Sequence, residues 1–88
     1  MELEQLRVFL AAAEAGGFSP AARALYVSHS TVSRTVAALE RELGTPLFVR
    51  SNRTQTLTGA GRVLADEARG LLMQAELVKQ TLAGCREE

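Results

Sequence analysis

The segment enclosed by Gly16-Gly17 and Gly44-Thr45-Pro46 constrains this chain more than any other feature. Neither boundary lets a helix run through: paired glycines carry a large backbone entropy cost, and proline lacks the amide and clashes with the preceding turn. Inside the segment, Ser19-Pro20 reads as an N-cap followed by proline at the first helical position, opening a short alanine-rich helix to about Leu25. Ser28 offers a second N-cap only a few residues later. From there Val32, Val36, Leu39 and Leu43 mark an apolar stripe at helical spacing, with Gly44 as C-cap. Two helices joined by so tight a corner form a helix-turn-helix pattern.

The flanks complete one small domain. Leu3, Leu6, Phe9, Leu10 and Ala13 follow the spacing of a helix with one buried face, ended by Gly16-Gly17. After Pro46, Leu47-Phe48-Val49 reads as a short strand and Ser51-Asn52-Arg53-Thr54 as a turn. Gln55-Thr56-Leu57 returns as a second strand, a hairpin expected to present Arg50 and Arg53 at its tip, with service to the hairpin's own structure the alternative for Arg50. Thr58 caps a last helix to about Ala83, with Gly84 as its stop. The sequence thus predicts a mainly α architecture: three helices and a β-hairpin over residues 1–57, then a long helix within 58–88. A chain of 88 residues has room for one core and tends to lean on a partner. The long helix shows where that partner would sit. Leu64, Ala68, Leu71, Ala75, Val78 and Leu82 repeat at alternating spacings of 4 and 3, the seam of a helix that packs along another helix, with the first half, near Leu64 and Ala68, expected to pack in part on the domain's own first helix. Met73 and Leu77 fall off that seam and are expected to be exposed.

Overall charge balances, ten cations against ten acids, but its distribution does not. Residues 23–62 carry Arg23, Arg34, Arg41, Arg50, Arg53 and Arg62 against Glu40 and Glu42 only, while both flanks are net acidic. All the cations of this block are arginine, whose planar fork suits phosphates and guanine edges. At about 100° per residue, Ser30, Ser33, Arg34, Ala37 and Arg41 fall opposite the apolar stripe of the helix from 29 to 43. Small hydroxyl and methyl groups with two arginines and no acid let a helix approach base edges closely. Poor helix formers crowd its first two turns, Ser30, Thr31, Ser33 and Thr35, where propensity favours alanine or glutamate. Hydroxyls there also cap and solvate helices, but their crowding against propensity favours a functional reason. His29 stands beside them as a donor to an acceptor on DNA or as an ordinary surface residue.

The run from Leu3 to Phe9, then Phe18, Ala21-Ala22, Leu25, Val27-Ser28, Val32-Ser33-Arg34, Leu39-Glu40, Leu43-Gly44, Leu47-Phe48, Arg50, Leu57-Thr58 and Ala60-Gly61 resembles the N-terminal DNA-binding domain of LysR-type transcriptional regulators. The resemblance spans essentially the whole chain and rests on many positions in fixed order. It implies a winged helix-turn-helix that binds double-stranded DNA in the bacterial cytoplasm, at the nucleoid. Ser28, His29, Ser30, Thr31, Ser33, Arg34, Ala37 and Arg41 would face the major groove, and Arg50, Arg53 and Thr54 the minor groove from the wing. It further implies a homodimer through the last helix on an interrupted dyad. A larger domain binding a small-molecule effector is expected beyond these 88 residues. Where the family usually has Gln-Pro after the capping serine, this chain has His29-Ser30, so that glutamine's base preference does not carry over. Gly59 likewise replaces a larger residue at the start of the last helix.

The residues leave little room for other chemistry. Cys85 is the single cysteine and His29 the single histidine, so no disulfide and no metal cage is expected, and no cofactor is assigned. No apolar run reaches the ~18 residues of a membrane span. Ser28, Ser30 and Ser33 lie near His29 in sequence, yet no carboxylate is placed to orient it, which argues against an enzyme. A protein-docking winged helix is the alternative function, disfavoured by the basic outer face.

Overall fold

The computed structural model describes residues 1–51 and 54–85. In chain order they form α1 (Leu3–Ala15), α2 (Phe18–Leu25), α3 (His29–Leu43), β1 (Phe48–Ser51), β2 (Thr54–Leu57) and α4 (Gly59–Ala83). The strands are antiparallel, with Phe48 opposite Leu57 and Ser51 opposite Thr54. Three helices pack around one core, the hairpin closes one side as a wing, and α4 lies along α1.

Local chemistry sets most boundaries. Glu2 and Gln5 form a reciprocal capping box at the start of α1, and Gly16 ends it in the left-handed region at φ 80°. The Ser28 hydroxyl accepts the Thr31 amide at 3.1 Å to open α3, and Gly44 closes it at φ 71°. Thr58 does double duty, accepting the Gly61 amide at 2.9 Å and donating to the Pro46 carbonyl at 2.8 Å.

One boundary differs from the sequence reading. The N-cap of α2 is Gly17, not Ser19, and the helix begins at Phe18. The reason is tertiary: the Phe18 amide donates to Gln55 Oε1 at 2.9 Å, so a residue on the wing does the capping that Ser19 was expected to do. Pro20 still falls within the first turn, where its missing amide has no helical partner to lose.

The core consists of Phe9, Ala12, Phe18, Ala21, Val32, Val36, Leu39, Leu47, Phe48 and their neighbours. Phe48 meets Phe9 edge-on at 5.5 Å and Phe18 edge-on at 5.3 Å between centroids, fastening the wing to α1 and α2. Leu43, the last residue of the predicted stripe on α3, is 40% exposed because the helix outruns the core there.

The long helix divides its seam. Gly61, Ala65 and Ala68 are buried and Leu64, Leu72 and Ala75 are half-buried, all within the chain. Arg69 ties this stretch to α1 through Glu14 at 3.2 Å. Ala68 is fully buried against its own domain, so of the two packings expected for the first half of the stripe it takes the one within the chain and leaves a partner nothing of it to cover. From residue 76 to 85 every residue is exposed, including Leu77, Val78 and Leu82. Leu71 and Met73 are exposed as well.

Gly61 is where α4 passes closest to the chain entering the wing. A Cβ built there overlaps the Leu47 carbonyl oxygen and crowds Leu57. Backbone cannot yield as a side chain can, so Gly61→Ala should lower stability by about 1–3 kcal/mol, the usual cost of overpacking. Thermal unfolding checks this, with Gly70→Ala as the control, since nothing lies within 4 Å of a Cβ at Gly70.

Candidate nucleic-acid interface

By burying Val32, Val36 and Leu39, α3 turns its opposite side outward. There Arg34 and Arg41 are exposed and neither forms an ion pair among the described residues, while Ser33 and Ala37 lie half-buried between them. At the start of the helix, Ser28 Oγ lies 3.1 Å from Ser30 Oγ and 2.9 Å from Thr31 Oγ1. These three hydroxyls build the cap. Each hydroxyl has one donor and two acceptor positions, so capping leaves them capacity for an outside partner. His29 is exposed, its ring 6.0 Å from that of Phe18.

Arg50 is not at the tip of the wing, contrary to the sequence expectation. It stands in mid-strand opposite Gln55, and its Nη2 donates to Glu40 Oε1 at 3.2 Å. Its guanidinium lies over the Phe18 ring at 5.2 Å, so the side chain is held back against the body by a carboxylate and an aromatic face. Arg53 lies outside the described residues. Thr54 is exposed at the start of β2, its hydroxyl donating to the Ser51 carbonyl at 3.3 Å.

Glu40 and Gln55 are the residues that sequence reasoning missed. Glu40 Oε2 accepts the Leu47 amide at 2.8 Å and the Phe48 amide at 3.3 Å, so one carboxylate joins α3, the chain entering the wing and Arg50. Leu39-Glu40 was legible only as part of a family pattern, since its partners lie beyond the Gly44-Thr45-Pro46 stop. Gln55 caps α2 across 37 residues, a distance at which no local signal exists. Glu42, the other acid of the basic block, pairs with the Met1 ammonium at 2.7 Å. Both acids of residues 23–62 are thus occupied within the chain.

The family model for bacterial regulatory helix-turn-helix proteins of the lysR family matches residues 3–62. The chain belongs to the LysR family. It is 49% identical over 82 residues to the HTH-type transcriptional activator IlvY of Salmonella typhimurium, an alignment covering 93% of this chain and 28% of IlvY. The chain therefore spans little more than a quarter of that relative's length. Among solved structures, the CbnR DNA-binding domain in complex with DNA superposes with a TM-score of 0.90 at 40% identity, covering 98% of this chain and all of that one. The BenM DNA-binding domain on catB site 1 DNA gives 0.95 at 31% identity, covering 100% of this chain and 98% of that one. The fold is thus the winged helix of LysR-type DNA-binding domains. The family is described as one of bacterial regulatory proteins, and IlvY is named a transcriptional activator. Among the described residues no helix is long and apolar enough to cross a membrane.

The Glu40 clamp gives a direct test of how the wing is held. Glu40→Ala leaves the Leu47 and Phe48 amides without their acceptor and Arg50 without its carboxylate. Stability should fall by about 1–3 kcal/mol, with faster hydrogen exchange at those two amides. Glu40→Gln keeps an acceptor oxygen and should recover part of the loss.

Proposed function

We propose that this chain is the DNA-binding part of a bacterial transcription regulator that inserts α3 into the major groove of double-stranded DNA. One observation carries this reading: Ser33, Arg34, Ala37 and Arg41 form an outward face with small side chains, two cations lacking ion pairs among the described residues, and no acid. Relatives named as transcriptional regulators, and neighbours solved on DNA, support it. Arg34, nearest the capped end, is the base or groove-phosphate reader. Ser28, His29, Ser30 and Thr31 approach the groove at that end, and Arg41 serves the phosphates further along. Thr54 acts from the wing, while Arg50 acts indirectly by holding the wing in place; Arg53 is assigned to the DNA from its sequence position alone. Work on chromosomal DNA puts the protein at the nucleoid, in the cytoplasm. Control by a small-molecule effector belongs to a domain outside these residues.

The same reading has the chain act as a homodimer. At ~1.5 Å per residue, α4 extends roughly 37 Å, beyond what its own core covers. Of its free apolar side chains, Val78 and Leu82 lie past Ala75, beyond which every described residue is exposed, and Leu71 lies beside the covered face. Leu64 and Ala75 are half-buried at the edge of that stripe. Pairing two such helices would place both α3 helices for the two halves of an interrupted dyad.

Two outcomes follow. Arg34→Ala should weaken binding to the cognate duplex by about 1–3 kcal/mol with an unchanged melting curve, and equal affinity removes Arg34 from the interface. Leu71→Glu combined with Val78→Glu places charge on the free stripe only. It should give folded monomers in sedimentation that bind operator roughly 10²-fold more weakly, because two half-sites are no longer engaged together. A double variant that sediments as a dimer contradicts the pairing.

A further inference from the structure

Tyr26 does nothing for the fold that another residue would not do better. It is 95% exposed, the most exposed large apolar side chain described, ahead of Met73 at 65%. Its ring pairs with no other aromatic ring, and its hydroxyl makes no hydrogen bond among the described residues. It also sits in a backbone conformation that suits it badly. At the end of α2 it adopts φ 59° and ψ 40°, its amide directed to the Ala22 and Arg23 carbonyls. It is the only non-glycine residue described with positive φ. A side chain with a Cβ is strained there, and glycine or asparagine is the relaxed choice. The chain follows that rule at its two other left-handed helix ends, Gly16 and Gly44. Only at the corner of the helix-turn-helix does it keep a tyrosine. Strain retained without packing gain points to a use outside the chain.

The position says what that use is. Tyr26 stands two residues before Ser28, the cap of α3, and follows the exposed Arg23 by one turn. Two residues span at most about 7 Å of backbone, so the tyrosine belongs to the corner beside the tip of α3 rather than to its outer face. A side chain at that corner meets the rim of the groove that α3 enters, where sugars and phosphates lie, and not the base edges. Phenol chemistry fits a rim: the hydroxyl donates to a phosphate oxygen, the ring packs on deoxyribose, and no base is specified. Resting on the DNA-binding reading above, we propose that Tyr26 contacts the sugar–phosphate backbone at the edge of the major groove, a sequence-independent anchor held at the expense of stability.

The test uses the 88-residue chain and two duplexes, one selected by the wild-type chain from a random-sequence pool and one scrambled. Tyr26→Asn should melt at or above the wild-type temperature, since it relieves the left-handed strain. Yet it should bind both duplexes roughly tenfold more weakly, by the same factor, with the loss of a hydrogen bond to a charged acceptor and of the ring contact. Tyr26→Phe, which keeps the ring, should fall between the two. The slope of affinity against salt should stay that of the wild type, because a neutral side chain releases no counterion. Unchanged affinity of Tyr26→Asn, while the wild type selects and binds its duplex, overturns the proposal, as does a loss confined to the selected duplex. A wild-type chain that selects no duplex overturns the DNA-binding reading itself, and this proposal with it.

Discussion

Phe48 makes the wing part of the body. A two-stranded hairpin is marginal in water, and this one has only four residues per strand. Its first residue enters the core edge-on against Phe9 and Phe18, where aromatic pairs add roughly 0.5–1.5 kcal/mol each beyond area burial. The polar counterpart is Glu40, whose carboxylate accepts the two amides at the wing's entrance and holds Arg50. Leu47 and Phe48 are anchored from both sides, by carbon below and by a charge-assisted acceptor above. The orientation of the hairpin relative to α3 follows from that double attachment, and so does any action of wing and helix on one DNA duplex.

The same economy governs charge. The middle of the chain is basic, but its cations are not equivalent. Arg50 is spent on Glu40 and Phe18, and Arg62 approaches the Leu57 carbonyl at 3.5 Å. Glu40 and Glu42 are in turn engaged by Arg50 and the Met1 ammonium, so neither acid faces Arg34 or Arg41 as a ready ion-pair partner. What remains outward on α3 is a positive, small-featured surface. At its N-terminal end the capping hydroxyls Ser28, Ser30 and Thr31 serve structure and stay available to a partner, so the two explanations offered for them are compatible.

Much of this was legible in the residues themselves. Ser28, Thr58, Gly16 and Gly44 act through partners within a few residues, so a cap or stop at each is a local fact that spacing reveals. The apolar stripe of α3 likewise shows its buried side directly, because helical periodicity depends on neighbours three and four residues away. The family pattern extended this to the winged fold.

Other features depended on which segments meet. The cap of α2 moved from Ser19 to Gly17 because Gln55 supplies the acceptor across the fold. Arg50 lies off the tip of the wing because the register pairs it with Gln55 in mid-strand, where Glu40 and Phe18 hold its side chain. Ala68 and Leu71 are equivalent on a heptad pattern, yet one is fully buried in its own chain and the other 46% exposed, since Leu71 stands to one side of the line of Ala68, Leu72 and Ala75 that the domain covers. Tyr26 reads as one more apolar residue in a line of sequence, and only its backbone conformation and isolation set it apart. Sequence by itself determined the elements, the caps of α3 and α4 and the outward face of α3, because those are set by short-range periodicity and hydrogen bonding. Tertiary structure alone decided which arginines are free, how much of α4 is left uncovered and which residues hold the wing, because burial and charge pairing depend on partners that chain order does not specify.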